Sequence, residues 1–148
     1  MSHSSSHSSP TSLTRAVLIG IGVSVLTAAF AMVLAAKGIS PFPKPPSLAF
    51  AETILGRDVP LPVGLLFHLA YVTFWCVMFL RFSPSRSFVA ALALGAALWV
   101  VVLVVFFPLI GWGLAGSAIG SKLIPASAMP HILFALFLWA LNRFLPGA

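Results

Sequence analysis

The sequence predicts an all-α polytopic membrane protein whose four transmembrane helices form two tandem helical hairpins. Three observations support this fold class. The chain of 148 residues is 60% hydrophobic and only 7% charged, whereas a soluble domain carries roughly 25% charged residues. It contains four long apolar segments, and a transmembrane helix needs about 20 apolar residues. One residue pattern also occurs in both the second and the fourth segment.

The N-terminal residues 1–13 are rich in serine and histidine and offer almost nothing that a core could bury. We expect a disordered tail there. The first helix is predicted over residues 16–36, an uncharged segment that follows Arg15. This segment is longer than the apolar region of roughly 7–15 residues in a secretory signal peptide, so we interpret it as a membrane-spanning helix.

A long connection follows the first predicted helix. Its first part, SPFPKPP, is rich in proline and should be extended. The stretch SLAFAETIL then predicts a short helix, with Ser47 as the candidate N-cap and Gly56 at its end. We expect this helix to lie in the membrane interface.

The remaining three spans are predicted over residues 63–80, 88–110 and 125–144. The last two are joined by the glycine-rich stretch GWGLAGSAIGSKLIP, in which Gly116 and Gly120 form a GxxxG pattern. This pattern lets helices approach closely, although the stretch could equally be a loop that dips into the protein. Gly95, within the small-residue segment ALALGAAL, is a further candidate for helix packing.

The net charge of +6 arises from eight lysines and arginines against Glu52 and Asp58. These cations are scattered at the ends of the apolar segments, as is typical of residues that flank membrane spans. Nucleic-acid binding would need a clustered patch. We therefore predict the lipid bilayer as the environment and no nucleic-acid partner. The compact basic connection RFSPSR favours an orientation with both termini in the cytoplasm.

The repeated pattern aligns His68 with His131 and Tyr71 with Phe134. We interpret it as the trace of a duplication that produced two hairpins of the same orientation. The second and fourth helices then run in the same direction, so the two histidines lie on the same side of the membrane at similar depth. Trp75 continues the face of His68 and Tyr71 at helical spacing.

Two histidines within a helical bundle allow three interpretations. They can be structural, because an imidazole can donate to a backbone carbonyl and join two helices. They can form a b-haem or quinone site of an electron-transfer module. They can also bind a lipid or another small ligand, because ionisable groups inside membranes usually mark functional sites. Two protein ligands are fewer than zinc requires, so no metal site is predicted.

No catalytic or phosphate-binding motif occurs in the chain, so no catalytic residue is predicted and we do not expect an enzyme. The first functional hypothesis is a non-enzymatic membrane component that is an accessory subunit or self-associates. Small residues on the first and third spans would contact a membrane protein partner or a second copy. The alternatives are the haem or quinone module and a carrier for a small apolar solute.

The segments HLAYVTFW, FFPLIGWGLAG and MPHILFALFL resemble small bacterial four-span proteins that carry only a domain-of-unknown-function label. In those proteins a P-x-x-G-W-G pattern precedes a helix that begins with histidine. The resemblance extends from Val63 onward. It implies the four-span fold and the bacterial inner membrane, but no activity and no site residues.

Overall fold

The computed structural model describes residues 11–145, and every regular element in this range is helical. In chain order the helices are α1 (Leu13–Ala36), α2 (Pro46–Leu55), α3 (Leu61–Phe82), α4 (Phe88–Leu109) and α5 (Leu123–Phe144). All except the short α2 are long and apolar enough to cross a membrane. The predicted all-α class with four transmembrane helices is therefore confirmed.

Three spans begin earlier in the chain than predicted. Helix α1 begins at Leu13, because the side chain of Ser12 caps it by accepting a hydrogen bond of 3.3 Å from the Arg15 N–H. The last residues of the predicted tail therefore belong to this helix and its cap, whereas residues 1–10 lie outside the described residues. Helices α3 and α5 include Pro62 and Pro125 in their first turn, where a missing N–H breaks no helical hydrogen bond.

The short helix α2 ends as predicted but begins differently. Its first residue is Pro46, which Pro45 precedes, and no side chain caps it. The prediction of Ser47 as N-cap is wrong, because the fixed φ of proline already suits the first helical position. Gly56 ends the helix with φ 64° and ψ 23°, a left-handed conformation that favours glycine.

Helix α4 contains a π-helical segment, Val102–Phe106, that the sequence analysis did not predict. Within it the Phe107 N–H bonds to the carbonyl of Val102, five residues earlier. In a regular helix the ring of Pro108 would clash with the carbonyl four residues before it, and the wider π turn relieves this clash. Such turns occur frequently at functional sites.

Two glycines lie where neighbouring helices meet backbone to backbone. Helix α1 packs against α3 and α5, and α4 packs against α5. A methyl group at Gly20 would lie 2.8 Å from the Cα atom of Thr73 in α3, and one at Gly95 would lie 2.7 Å from the carbonyl oxygen of His131 in α5. Each of these contacts is therefore made by backbone against backbone. The structure thus places Gly95, a candidate for helix packing, at the α4–α5 contact.

The glycine-rich stretch between α4 and α5 is a loop with one short 3-10 turn, Leu114–Gly116. Gly116 and Gly120 have φ values of 79° and 150°, which interrupt any helix. The helical GxxxG face predicted for this pair is thus absent from the structure, and the loop alternative describes the stretch. A methyl group at Gly116 would lie 2.9 Å from the Cβ atom of Leu123, whereas Gly120 faces open space.

The start of α1 and the end of α5 are joined by Arg15. Its guanidinium donates hydrogen bonds of 3.0 and 2.8 Å to the side-chain and backbone oxygens of Asn142, and one of 3.1 Å to the carbonyl of Leu145. The last carbonyls of a helix have no partner within the helix, and a cation there is favoured by the helix dipole. This contact closes the bundle at the end that carries both ends of the described chain.

Two clusters of buried apolar side chains fill the bundle. The larger one joins the four long helices and includes Ala16, Ile19, Val23, Val72, Cys76, Leu80, Leu98, Phe134 and Leu138. The smaller one lies at the end that carries α2 and consists of Ala49, Phe107, Trp112 and Leu123. Residues of both clusters line the cavity described below.

Replacing Gly95 by alanine should destabilise the bundle by about 1–3 kcal/mol, because the added methyl group meets a backbone carbonyl that cannot move aside. Gly22→Ala is the matched control, since its methyl group would meet only the end of the Leu141 side chain, at 3.1 Å. That variant should be neutral or stabilised by up to about 1 kcal/mol, as expected for Gly to Ala in a helix. Unfolding in mixed micelles, followed by circular dichroism, measures both. Equal effects would contradict the described contact.

Candidate functional site

The four long helices surround a cavity of about 450 Å³ at the end of the bundle that carries α2. Sites for small molecules typically measure about 300–1,000 Å³. All four spans contribute to the lining, together with Phe50 of α2 and residues of the connection before it. The lining is mainly apolar and is rich in aromatic rings, namely Phe42, Phe50, Phe67, Tyr71, Phe106, Phe107 and Phe134.

Both repeated histidines line this cavity, His68 from α3 and His131 from α5. The structure thus brings together the two histidines from segments far apart in the chain. Tyr71 and Phe134, which also occupy equivalent positions in the repeat, line the same cavity. Trp75 does not line it. Its ring packs edge to face against Tyr71 at 6.3 Å and contacts the larger apolar cluster.

His68 is held by a hydrogen bond to α1. Its Nε2 atom lies 3.1 Å from the Thr27 hydroxyl, which also lies 2.8 Å from the Val23 carbonyl and 3.1 Å from that of Ser24. We assign the single hydroxyl hydrogen to the nearer acceptor, the Val23 carbonyl, so that the hydroxyl accepts from the imidazole. With this assignment the lone pair of neutral His68 is on Nδ1.

His131 is held by its own helix. Its Nδ1 atom lies 2.7 Å from the carbonyl oxygen of Ser127, one turn earlier in α5. A carbonyl can only accept, so Nδ1 carries the hydrogen and the Nε2 of the neutral ring carries a lone pair. No other described residue bonds to that Nε2. Proteins commonly orient an imidazole in this way when its second nitrogen binds a metal or ligand.

Helix α4 stabilises the turn that carries His131. The indole N–H of Trp99 donates to the Ser127 hydroxyl at 3.0 Å, and this hydroxyl donates to the Ile124 carbonyl at 3.0 Å. Both polar groups are therefore satisfied within the protein. The orientation of His131 thus depends on contacts between α4 and α5 as well as on its own helix.

The hydroxyl of Tyr71 is buried and makes no hydrogen bond with any described residue. The Trp75 indole lies beside it, but the two groups lack hydrogen-bond geometry. A buried polar group without a partner costs about 1–3 kcal/mol. The ring of Tyr71 also contacts Phe106 of the π-helical segment, with ring centres 5.5 Å apart. The π segment and the ring of Tyr71 thus belong to the same part of the cavity lining.

An ion pair stands at the mouth of the cavity. The ammonium group of Lys44 lies 2.7 Å from a carboxylate oxygen of Glu52, and this hydrogen bond raises the pKa of Lys44 above its ordinary value. On the outer side, Arg57 and Asp58 join this pair in lining an open groove of about 500 Å³. That groove is open to solvent and contains neither histidine, so the inner cavity is the candidate site.

Aromatic packing covers the same end of the cavity. Phe42, from the proline-rich connection, stacks on Trp112 with ring centres 6.1 Å apart and meets Phe107 edge to face at 6.4 Å. Trp112 is buried in this packing, with 7% of its surface exposed. The connection, α2 and the loop before α5 thus pack together at this end of the cavity.

The residues at the site fit one axial ligand of a haem but not two. His131 offers an unbonded Nε2, whereas the Nε2 of His68 is bonded to Thr27. Bis-histidine ligation through both Nε2 atoms would require the His68 imidazole to break its hydrogen bond to Thr27 of α1. Among the described residues no group of three or more histidine, cysteine or acidic side chains could hold a metal ion.

Comparisons of the chain with protein-family models, curated proteins and solved structures find no match. The relation to the four-span bacterial family stays a prediction. The function therefore has to be argued from the cavity and its residues.

Sequence reasoning missed two components of the site. Thr27, the partner of His68, is one of few polar residues in the first apolar segment, and this isolation was the available signal. Pro108 near the end of a predicted span was the signal for the π turn that positions Phe106. Neither signal indicates which helix lies opposite, so neither identifies a partner.

Replacing Thr27 by valine should destabilise the protein by about 1 kcal/mol, because the imidazole N–H of His68 loses its acceptor. The nitrogen chemical shifts of His68 should change with it. Thr53→Val is the matched control, because the Thr53 hydroxyl bonds only to the Ala49 carbonyl of its own helix, at 2.9 Å. The check combines thermal unfolding with imidazole nitrogen NMR. Unchanged His68 shifts in the Thr27 variant would show that this hydrogen bond does not exist.

Proposed function

We propose that the protein is a non-enzymatic membrane protein that binds a small apolar molecule in the cavity between His68 and His131. One observation carries this proposal. Two oriented imidazoles line a single cavity whose lining is mainly apolar, and Tyr71, whose buried hydroxyl has no partner among the described residues, belongs to the same lining. Protein interiors are normally close-packed, and polar groups at membrane depth normally find partners inside the protein. An apolar ligand with a polar group would fill the space and pair with these groups.

The environment we propose is a bacterial inner membrane, with both termini in the cytoplasm. Four spans support a multi-pass arrangement, and an even number of crossings puts both termini on the same side. The short connection between α3 and α4 contains Arg86 close after Arg81, and the cytoplasmic side is the one enriched in cations near the spans. The tandem hairpins, with α1 against α3 and α4 against α5, are consistent with descent from a duplication.

Filling the cavity tests the proposal. Ala28 lines the cavity on α1, whereas its neighbour Ala29 is exposed on the outer surface. The wild-type protein and the Ala29→Phe variant, purified in mild detergent from bacterial membranes, should retain a specific apolar compound near one per chain. The Ala28→Phe variant should retain at least tenfold less, because its ring occupies the space. Mass spectrometry of organic extracts measures the amounts.

The result against the proposal would be the same lipid composition in all three proteins. Each variant would first be checked by circular dichroism and thermal unfolding, so that loss of the compound can be separated from loss of the fold.

One observation supports self-association as a second candidate function. Helix α4 is the least buried of the four spans. Of its most apolar stretch of 18 residues, 17% is buried inside the protein, whereas the value is 28% for each of the other three spans. The small residues Ala93, Ala96 and Ala97 are exposed on α4, and small residues let another helix approach closely. We propose that a second copy of the chain or a partner helix packs on this surface.

The Ala96→Trp variant should reduce self-association at least tenfold in lipid vesicles, because a large side chain separates the two helices. Ala29→Trp, on the exposed face of α1, serves as the control and should leave it unchanged. Energy transfer between labelled copies at several protein-to-lipid ratios measures the association. A wild-type chain that stays monomeric at every ratio would rule out a homo-oligomer.

A further inference from the structure

We infer that the ligand is a lipid-soluble aromatic diol of the quinol class, and that the cavity binds it more tightly than the corresponding quinone. This inference rests on the proposed function, namely ligand binding in the cavity of His68 and His131. It adds the hydrogen-bonding character of the ligand. Only binding is proposed, with no transfer of electrons or protons.

Both imidazoles line the cavity, and each has one nitrogen without a hydrogen-bond partner among the described residues. His131 uses its Nδ1–H on the Ser127 carbonyl, at 2.7 Å, so its Nε2 can only accept. His68 uses its Nε2–H on Thr27, at 3.1 Å, so its Nδ1 can only accept. A ligand that pairs with both rings must therefore bring two donors.

A positively charged imidazole would be a donor at both nitrogens, but the site offers no counter-ion for it. The chain has only two acidic residues, Glu52 and Asp58. Glu52 is paired with Lys44 at the mouth, and neither carboxylate lines the cavity. A buried charge is costly without a paired opposite charge, so the neutral, accepting form suits this site.

Apart from Ser40, Lys44 and Ser47, which come from the connection and the start of α2, few other donors line the cavity. The hydroxyls of Thr27 and Ser127 already donate to backbone carbonyls of their own helices. Tyr71 has the only buried hydroxyl among the described lining residues that lacks a partner. A quinone carries only acceptors and would set its carbonyls against the imidazole lone pairs. A quinol carries two O–H donors, and these match the two imidazoles.

The shape of the cavity suits a flat ring with an apolar tail. Rings of Phe106, Phe107 and Phe134 line it, and aromatic rings stack favourably on one another. On α1, the lining residues Ala31, Met32 and Ala35 are exposed. The cavity is therefore open along this part of α1, and an apolar tail could leave the bundle there.

The test compares one molecule in two redox states. Decylubiquinol and decylubiquinone are titrated anaerobically into the full chain in lipid nanodiscs, with isothermal calorimetry as the readout. We expect the quinol to bind roughly tenfold to hundredfold more tightly than the quinone. A bound quinone leaves the imidazole acceptors unpaired, and this weakens its binding by that factor.

Two substitutions of His131 make the test specific. His131→Phe keeps a ring but removes the acceptor, so the preference for quinol should fall severalfold, to the part that His68 provides. His131→Gln keeps an acceptor oxygen for the quinol but adds amide N–H donors for the quinone, so it should keep the quinol affinity while the preference falls. Circular dichroism and unfolding establish that each variant folds. An unchanged preference in both variants would overturn the role of the accepting nitrogen.

Equal affinities for quinol and quinone, or tighter quinone binding, would overturn the inference. If neither molecule binds while a compound sensitive to Ala28→Phe still co-purifies, the quinol inference fails and the proposed function stands. If neither binds and no such compound co-purifies, both fail.

Discussion

The contact between Gly95 and the backbone carbonyl of His131 is the constraint on which the candidate site depends. It lets α4 and α5 touch backbone to backbone, which brings Trp99 within 3.0 Å of Ser127. Ser127 in turn supplies the carbonyl that orients the imidazole of His131. A larger residue at position 95 would push α4 and α5 apart at the contact that positions Trp99 and Ser127. The position of the candidate ligand residue His131 therefore depends on a glycine in the neighbouring helix.

The second histidine depends on the other half of the bundle. Gly20 and Thr73 allow the close approach of α1 and α3, and Thr27 then accepts from His68 two turns further along α1. Each imidazole is thus held by a hydrogen bond at one of its nitrogens. Its other nitrogen has no hydrogen-bond partner among the described residues. In a span, where water cannot satisfy polar groups, such an arrangement costs free energy unless something pairs with the remaining nitrogens. This cost is the physical reason for placing the function at the cavity.

The two ends of the bundle have different roles. At the end with Arg15, charge-assisted hydrogen bonds join the first and last spans and close the structure. At the other end, α2, the proline-rich connection and the stack of Phe42 on Trp112 pack beside the cavity. On α1, the lining residues Ala31, Met32 and Ala35 are exposed. The proposed apolar ligand would enter there.

The sequence by itself determined the four spans, the end of α2 at Gly56 and the position of both histidines at the same end of parallel helices. These properties follow from local hydropathy, from glycine backbone preferences and from the number of crossings. The tertiary structure decided that both histidines line one cavity, that Thr27 is the partner of His68 and that Trp75 lies outside the lining. It also placed Gly116 and Gly120 in a loop. A span that is apolar on every face gives no signal for its rotation or its neighbours, because lipid and protein interior favour the same side chains.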